Sequence, residues 1–98
     1  MRVITKRTLV AFWALHPQAE GPLSEWYNAI KSREWKNLAE LKQLSRTVDY
    51  VGGDRYVFNI MGNNYRLIVR IDFKRQVAFV RFVGTHGEYD RIADISSI

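Results

Sequence analysis

The segment Thr85-His86-Gly87-Glu88-Tyr89-Asp90 carries the side chains of this sequence that are best suited to moving a proton. His86 is one of two histidines in the chain, and an imidazole changes its charge near neutral pH, so it can act as a general acid or a general base. Tyr89 can donate a proton or stack on a flat ring. Structural roles are the alternatives: His86 as a helix cap or hinge after Gly84-Thr85, and Tyr89 as a contact between a short terminal helix and a sheet. The segment therefore predicts an acid–base site, in which the acid and the base stay unassigned.

Four arginines of the second half of the chain, Arg55, Arg66, Arg70 and Arg81, add the chemistry that this segment lacks. A guanidinium stays protonated and can bind a phosphate through two parallel hydrogen bonds. One histidine and one tyrosine cannot hold the charge of a phosphate by themselves. Whether the arginines lie together, and whether they face His86, depends on the elements that carry them.

Those elements divide the chain into a helical half and a strand half. Within residues 5–45, apolar and aromatic side chains repeat at helical spacing in three stretches, which contain Leu9, Phe12, Trp13 and His16, then Leu23, Trp26, Tyr27 and Ile30, then Leu38, Leu41 and Leu44. From Thr47 onward the pattern alternates, and turn signals separate predicted strands near residues 47–51, 55–60, 65–72 and 77–84. We therefore predict an α+β fold, in which N-terminal helices pack on one face of an antiparallel β-meander and a short C-terminal helix follows.

The predicted register sorts the side chains of the meander onto two faces. Pairing Ile60 with Tyr65, and Asp72 with Val77, gives one apolar face that should meet the helices, made of Tyr56, Phe58, Ile60, Leu67, Val69, Ile71, Ala78, Val80 and Phe82. The other face, which we call the arginine face, collects the four arginines and Asn59, with Arg55 opposite Arg70. Like charges directly opposite each other destabilise a sheet, so we interpret this face as a surface for an anionic ligand. A solvated outer face is the alternative.

The position of His86 relative to the arginine face depends on the register at the end of the last strand. Strict alternation from Arg81 places His86 on the opposite face of the sheet. A β-bulge adds one residue to a strand and would bring His86 round to the arginines; Gly84 is the candidate residue for it.

Composition restricts the remaining classes of function. The 98 residues suffice for one compact domain, predicted to span residues 1–98. The absence of cysteine excludes disulfides, thiolate zinc sites and cysteine nucleophiles, and we expect neither a metal nor another cofactor. No apolar run is long enough for a signal peptide or a membrane span, so we expect a cytoplasmic protein. A net charge of +5 favours a polyanionic partner, whether nucleic acid, ribosome or acidic protein.

Three strings in the strand half resemble the HigB family of bacterial toxins: Tyr56-Val57-Phe58-Asn59-Ile60, Gly62-Asn63-Asn64-Tyr65-Arg66-Leu67-Ile68 and Val80-Arg81-Phe82-Val83-Gly84-Thr85-His86-Gly87-Glu88-Tyr89-Asp90. The opening Val3-Ile4-Thr5 and the Trp35-Lys36-Asn37 region fit the family as well. The resemblance implies a RelE-like fold and an endonuclease that cuts messenger RNA, largely on the ribosome, and so inhibits translation. It also implies a HigA-like helix-turn-helix antitoxin as partner, with operator DNA contacted only through that antitoxin.

The resemblance gives the candidate residues specific roles. Metal-free RNA cleavage uses the neighbouring 2′-hydroxyl as nucleophile, and it needs a base, an acid for the leaving 5′-oxygen and cations for the growing phosphate charge. We predict four catalytic residues: His86, Tyr89, Arg81 and Arg70. We predict RNA binding by the side chains that would hold neighbouring nucleotides: Arg55, Arg66, Asn59, Lys74 and Arg75. Two alternatives stay open, a module that binds RNA or the ribosome without cutting it, and a protein whose basic face only meets an acidic partner.

Overall fold

The computed structural model describes all 98 residues and has the predicted α+β fold. Its strands are β1 (Arg2–Ile4), β2 (Asp49–Gly52), β3 (Arg55–Ile60), β4 (Tyr65–Asp72) and β5 (Val77–Thr85). Its helices are α1 (Lys6–Leu15), α2 (Glu20–Lys31), α3 (Leu38–Leu44) and α4 (His86–Asp90), with a 3₁₀ turn at Pro17–Ala19. The strand order is β1-β5-β4-β3-β2. None of the helices combines the length and the apolar character that crossing a membrane requires.

Strand β1 makes the sheet mixed, which corrects the predicted antiparallel meander. It pairs in parallel with β5, so that Val3 lies beside Ala78, whereas the contacts among β2, β3, β4 and β5 are antiparallel as predicted. A strand of three residues is too short for its alternation to be recognised, and its partner lies at the other end of the sequence.

The first three helices cover one face of the sheet and form the main hydrophobic core with it. The buried residues that these helices contribute are Leu9, Phe12, Leu23, Trp26, Ile30 and Leu41. Trp26 meets the ring of Phe58 edge-on, with 5.5 Å between the ring centroids. Burying a large apolar side chain contributes about 1.5–3 kcal/mol to folding, so a stripe of such residues fixes each helix to the sheet. All six belong to the predicted apolar stripes, which are confirmed.

The register agrees with the prediction up to the middle of β5. Strand β3 pairs with β4 as expected, with Arg55 opposite Arg70. Strand β4 then pairs with β5 as expected as far as Val69 and Val80.

A β-bulge at Arg81 breaks the predicted register from there onward. Ile68 pairs with Phe82 and Leu67 with Val83, so Arg81 is the extra residue of β5. Because one extra residue reverses the alternation, every later side chain of the strand changes face. The prediction that Phe82 faces the helices is therefore wrong, and Val83 packs against the main core in its place.

The arginine face is covered over part of its area. Val57 and Ile68 lie on this face and are only 4% and 0% exposed, although neither belongs to the main core. Helix α4 packs on β4 and β5, and residues 91–98 continue across the sheet until Ile98 contacts Arg55. The middle of this surface is therefore closed to solvent.

Candidate functional site

The bulge at Arg81 brings the acid–base segment to the arginine side of the sheet. After the bulge, Gly84 faces this side, and the backbone N–H of His86 donates to the carbonyl of Asn64 at 3.0 Å. Helix α4 begins at His86, directly beyond this ladder. The bulge that the predicted site needed is thus present, but its extra residue is Arg81 and not Gly84.

Gly84 provides space instead. A Cβ atom at this position would lie 2.5 Å from Cζ of Phe82 and 3.0 Å from Oε1 of Glu88. Both distances are shorter than ordinary van der Waals contact, so a larger residue would displace one of these two side chains. The absence of a side chain at Gly84 lets α4 fold back close to the strand from which it starts.

A capping box formed by Thr85 and Glu88 starts α4, which gives Glu88 a structural role. The hydroxyl of Thr85 accepts from the backbone N–H of Glu88 at 3.1 Å, and the Glu88 carboxylate accepts from the backbone N–H of Thr85 at 2.8 Å. The hydrogen bond from the Thr85 backbone is the main cause that holds the pKa of Glu88 below its ordinary value. The cap of α4 is therefore Thr85, and the alternative role of His86 as a cap is wrong.

His86 is paired with Asp90, one helical turn later. Its Nδ1 lies 2.8 Å from Oδ2 of Asp90, and the two side chains are 44% and 56% exposed. Residues four positions apart meet on the same side of a helix, so α4 itself builds this pair. A carboxylate on Nδ1 fixes the orientation and tautomer of the ring, which leaves Nε2 for a substrate.

Tyr89 lies against Arg66, whose guanidinium carbon is 5.7 Å from the ring centroid. Partial burial raises the pKa of Tyr89, and the charge of Arg66 acts in the opposite direction. The Tyr89 hydroxyl is therefore protonated at neutral pH and can donate a proton. Arg66 is only 8% exposed and donates from Nη2 to the Asn63 side chain at 2.7 Å, so it also positions the β3–β4 turn. We call His86, Tyr89, Asp90 and Arg66 the α4 cluster.

Asn59 lies next to the α4 cluster. It pairs with Arg66 in the β3–β4 register, and its side-chain amide donates to the hydroxyl of Thr47 at 3.3 Å. A residue predicted to bind RNA thus lies beside the predicted catalytic ones.

Arg55, Arg70 and Arg81 form a second group, the arginine cluster. Arg55 donates from Nε and Nη2, and Arg81 from Nε, to the backbone oxygen of Ile98, at 3.0, 2.6 and 3.1 Å respectively. Arg70 lies opposite Arg55, with its guanidinium carbon 5.6 Å from the centroid of the Phe79 ring. Because a strand advances about 3.3 Å per residue, the backbone at Arg81 lies roughly 15 Å along the strand from the start of α4. The predicted catalytic residues therefore fall into two groups.

Lys74 and Arg75 lie far from both catalytic candidates on α4. They belong to the β4–β5 turn, where Arg75 pairs with Asp72 at 3.0 Å and its hydrogen bonds lower the pKa of that carboxyl. This turn and α4 are at opposite ends of β5, roughly 26 Å apart along the strand. Any RNA contact of these two residues would be with nucleotides distant from α4.

Residues 91–98 are the part of this surface that no motif indicated. They reach the arginine cluster, where Ile98 accepts from Arg55 and Arg81, and Ile92, Ile95 and Ile98 are partly buried. Apolar residues at every third position were the available sign that this segment packs on the protein.

The two groups together offer proton transfer and anion binding. The α4 cluster can exchange protons through His86 and Tyr89, and the arginine cluster can hold negatively charged oxygens. No group of three or more histidine, aspartate or glutamate side chains is close enough together to hold a metal ion. The site thus fits an anionic substrate whose conversion moves protons.

Comparisons with known proteins agree with this chemistry. Residues 19–92 match the model of a family described as HigB toxin, RelE-like toxic component of a toxin-antitoxin system. The chain is 32% identical to the mRNA interferase toxin HigB of Escherichia coli (strain K12) over 93 residues. The aligned residues are 92% of this chain and 88% of that protein. The same figures apply to the mRNA interferase HigB of Shigella flexneri. The mRNA interferase HigB of Escherichia coli O6:H1 is 27% identical over 94 residues, covering 94% of this chain and 91% of that protein.

Proposed function

This chain belongs to the HigB family, the RelE-like toxic component of a toxin–antitoxin system, and we propose that it is an endoribonuclease that cuts messenger RNA without a metal ion. Relatives of similar length are named mRNA interferases, which supports the choice of substrate. The observation that carries the proposal is the His86–Asp90 pair beside Tyr89, on a helix that starts at the arginine face.

In the proposed reaction, the 2′-hydroxyl of a nucleotide attacks the adjacent phosphorus and the 5′-oxygen of the next nucleotide leaves. Nε2 of His86 accepts the proton of the 2′-hydroxyl, and Asp90 stabilises the imidazolium that forms. Tyr89, which is protonated at neutral pH, donates a proton to the leaving oxygen. The products are a 2′,3′-cyclic phosphate and a 5′-hydroxyl.

Charge on the reacting phosphate is assigned to Arg81 and Arg70, and the neighbouring nucleotides to Arg55, Asn59, Lys74, Arg75 and Arg66. The guanidinium of Arg66 lies against the Tyr89 ring, so it can also stabilise negative charge on the substrate near α4. Arg81 donates to Ile98 and Arg70 lies against the Phe79 ring, so their proposed roles require both side chains to leave these contacts and extend towards α4.

The experiment compares His86→Ala with His16→Gln, which changes the other histidine of the chain, at the end of α1. Messenger RNA is supplied both free and under translation in a cell-free extract, and new 5′ ends are mapped. Since a general acid–base group contributes roughly 10²- to 10⁴-fold to a rate, we expect His86→Ala to slow cleavage by that factor and His16→Gln to leave it unchanged. If folded His86→Ala protein cuts at the wild-type rate, the site is wrong. If wild-type protein binds ribosomes but never cuts, the alternative of a non-catalytic binding module replaces the proposal.

The toxin family implies an antitoxin partner, and we propose a HigA-like helix-turn-helix protein for it. Operator DNA would then be bound by the complex and not by this chain alone. We further propose that residues 1–98 act as one domain, on ribosomes in the bacterial cytoplasm. Co-expression with the protein of the neighbouring reading frame, followed by binding of the complex and of the free toxin to the upstream DNA, tests this arrangement.

A further inference from the structure

The backbone oxygen of Ile98 occupies a position at which two guanidinium groups converge. Arg55 donates to it from Nε and Nη2, at 3.0 and 2.6 Å, and Arg81 donates from Nε at 3.1 Å. Several donors from two permanently charged side chains are an arrangement suited to phosphate and carboxylate oxygens. The Ile98 oxygen thus occupies a position that is suited to binding an anion.

Residues 91–98 hold Ile98 in this position through contacts of their own. The N–H and the hydroxyl of Ser96 donate to the Asp94 carboxylate at 3.1 and 2.6 Å. The Ser96 carbonyl oxygen lies so close to Gly53 that a Cβ atom there would be 2.2 Å away. The segment is therefore seated against the β2–β3 turn.

Apolar side chains of the arginine face and of this segment are buried or partly buried. Val57 and Ile68 are 4% and 0% exposed on a face that the helical layer does not cover. Ile92 and Ile95 of the segment are themselves partly buried. Apolar burial therefore adds to the hydrogen bonds that keep the segment closed.

We propose that Arg55 and Arg81 form a phosphate subsite and that residues 91–98 are its built-in competitor, which moves away before a phosphate is bound. A phosphate offers several charged oxygens to both guanidiniums, whereas the two guanidiniums share a single oxygen of Ile98, so a polyanion can displace it. When only a fraction of molecules is open, the apparent affinity for a ligand falls by that fraction. The identification of the phosphate as one of RNA rests on the proposed function, but the competition itself does not.

Gly53→Asn tests the competition by steric means. The new Cβ atom would meet the Ser96 carbonyl oxygen, and asparagine tolerates the left-handed backbone of this position, where φ is +59°. Gly62→Asn is the matched control, because Gly62 has a φ of +64° and nothing lies within 4 Å of its Cβ position. Neither change alters a charge. The Cβ atom at position 53 would also lie 3.5 Å from Nη1 of Arg55, which is an ordinary contact distance, so the steric clash that distinguishes the two variants is the one with Ser96.

The first readout is the binding of inorganic phosphate, followed through the Nε–H signals of Arg55 and Arg81 in nuclear magnetic resonance. We expect Gly53→Asn to reach half-saturation at roughly tenfold lower phosphate than the wild type or Gly62→Asn. Adding Arg81→Ala to Gly53→Asn should abolish this gain. The competitor is ruled out if folded Gly53→Asn protein binds phosphate like Gly62→Asn, or if the gain persists without Arg81.

A second variant and a second readout keep the two proposals separable. Ser96→Pro removes the Ser96 N–H that holds Asp94 and changes no charge, so it replaces Gly53→Asn if that variant does not fold. Affinity for an RNA with 2′-O-methyl groups, which cannot be cut, is measured beside messenger RNA cleavage. A gain in phosphate and RNA affinity in a protein that cuts no RNA supports the competitor and overturns the proposed nuclease. Cleavage without any gain in affinity does the reverse.

Discussion

Replacing Gly84 by alanine should destabilise the protein through the contact between β5 and α4. The added Cβ atom would lie 2.5 Å from the Phe82 ring and 3.0 Å from the Glu88 carboxylate, so one of these side chains has to move. Overpacking typically costs about 1–3 kcal/mol, and loss of a helix cap costs about 1 kcal/mol more if Glu88 is the group that moves. We therefore expect the free energy of unfolding to fall by about 2–3 kcal/mol. For a domain of this size that corresponds to a melting temperature lower by roughly 10–20 °C.

Gly87→Ala is the control, because it adds the same methyl group one helical position after His86. Its Cβ atom would meet only the Thr85 hydroxyl, at 4.0 Å, so an alanine fits in α4. Replacing a helical glycine by alanine stabilises a protein by about 0.4–1 kcal/mol, so the two glycine variants should shift thermal and urea unfolding in opposite directions. Phe82→Leu removes the atom that Gly84→Ala strikes and should restore part of the lost stability. If Gly84→Ala unfolds within about 0.5 kcal/mol of the wild type, a size typical of harmless surface changes, the close packing of α4 on β5 is wrong.

Two further predictions concern α4. Asp90→Asn should slow single-turnover cleavage about a hundredfold, the lower end for an acid–base group, because His86 loses its carboxylate partner; an unchanged rate would remove Asp90 from the mechanism. The capping box holds the pKa of Glu88 below its ordinary value. The ionised Glu88 side chain therefore contributes its full stabilisation when the pH is above the ordinary pKa of a glutamate, and this stabilisation is lost as the pH falls through the lowered pKa. Between neutral and acid pH, the melting temperature should therefore fall more for the wild type than for Glu88→Gln. Parallel plots of melting temperature against pH would contradict the capping role.

The β3–β4 hairpin was predictable in register because its turn and its alternation agree. The pairing of Ile60 with Tyr65 across the turn places apolar side chains together on one face, and any one-residue slip would bury charges. The helical stripes were predictable for the same reason, since each repeats at a spacing that only one structure satisfies.

The bulge at Arg81 was not predictable, because Phe82 and Val83 are both apolar and either can face the core. The backbone freedom of glycine made Gly84 the candidate for the bulge. In the structure, a glycine is needed at this position because Glu88 approaches it closely. The short parallel strand β1 was not predicted for a different reason, because it pairs with a strand that is distant in the sequence.

The candidate site was predictable in its residue types but not in its arrangement. His86 and Tyr89 lie on a helix at the arginine face, yet Arg81 is engaged with Ile98 and Arg66 is buried beside Tyr89. These differences arise from residues 91–98 and from the bulge, which are tertiary features without a local motif.

The pairing of β1 with β5 also determines when the sheet can be completed during synthesis of the protein. Residues 2–4 are synthesised before the other strands, but their only partner in the sheet, β5, is made last among the strands. At a synthesis rate of roughly 5–20 residues per second, β1 waits about 4–15 seconds for that partner. Because the same strand leads directly into α4, the sheet and the proposed site are completed in one late step. A half-made chain therefore lacks both the complete sheet and the proposed site.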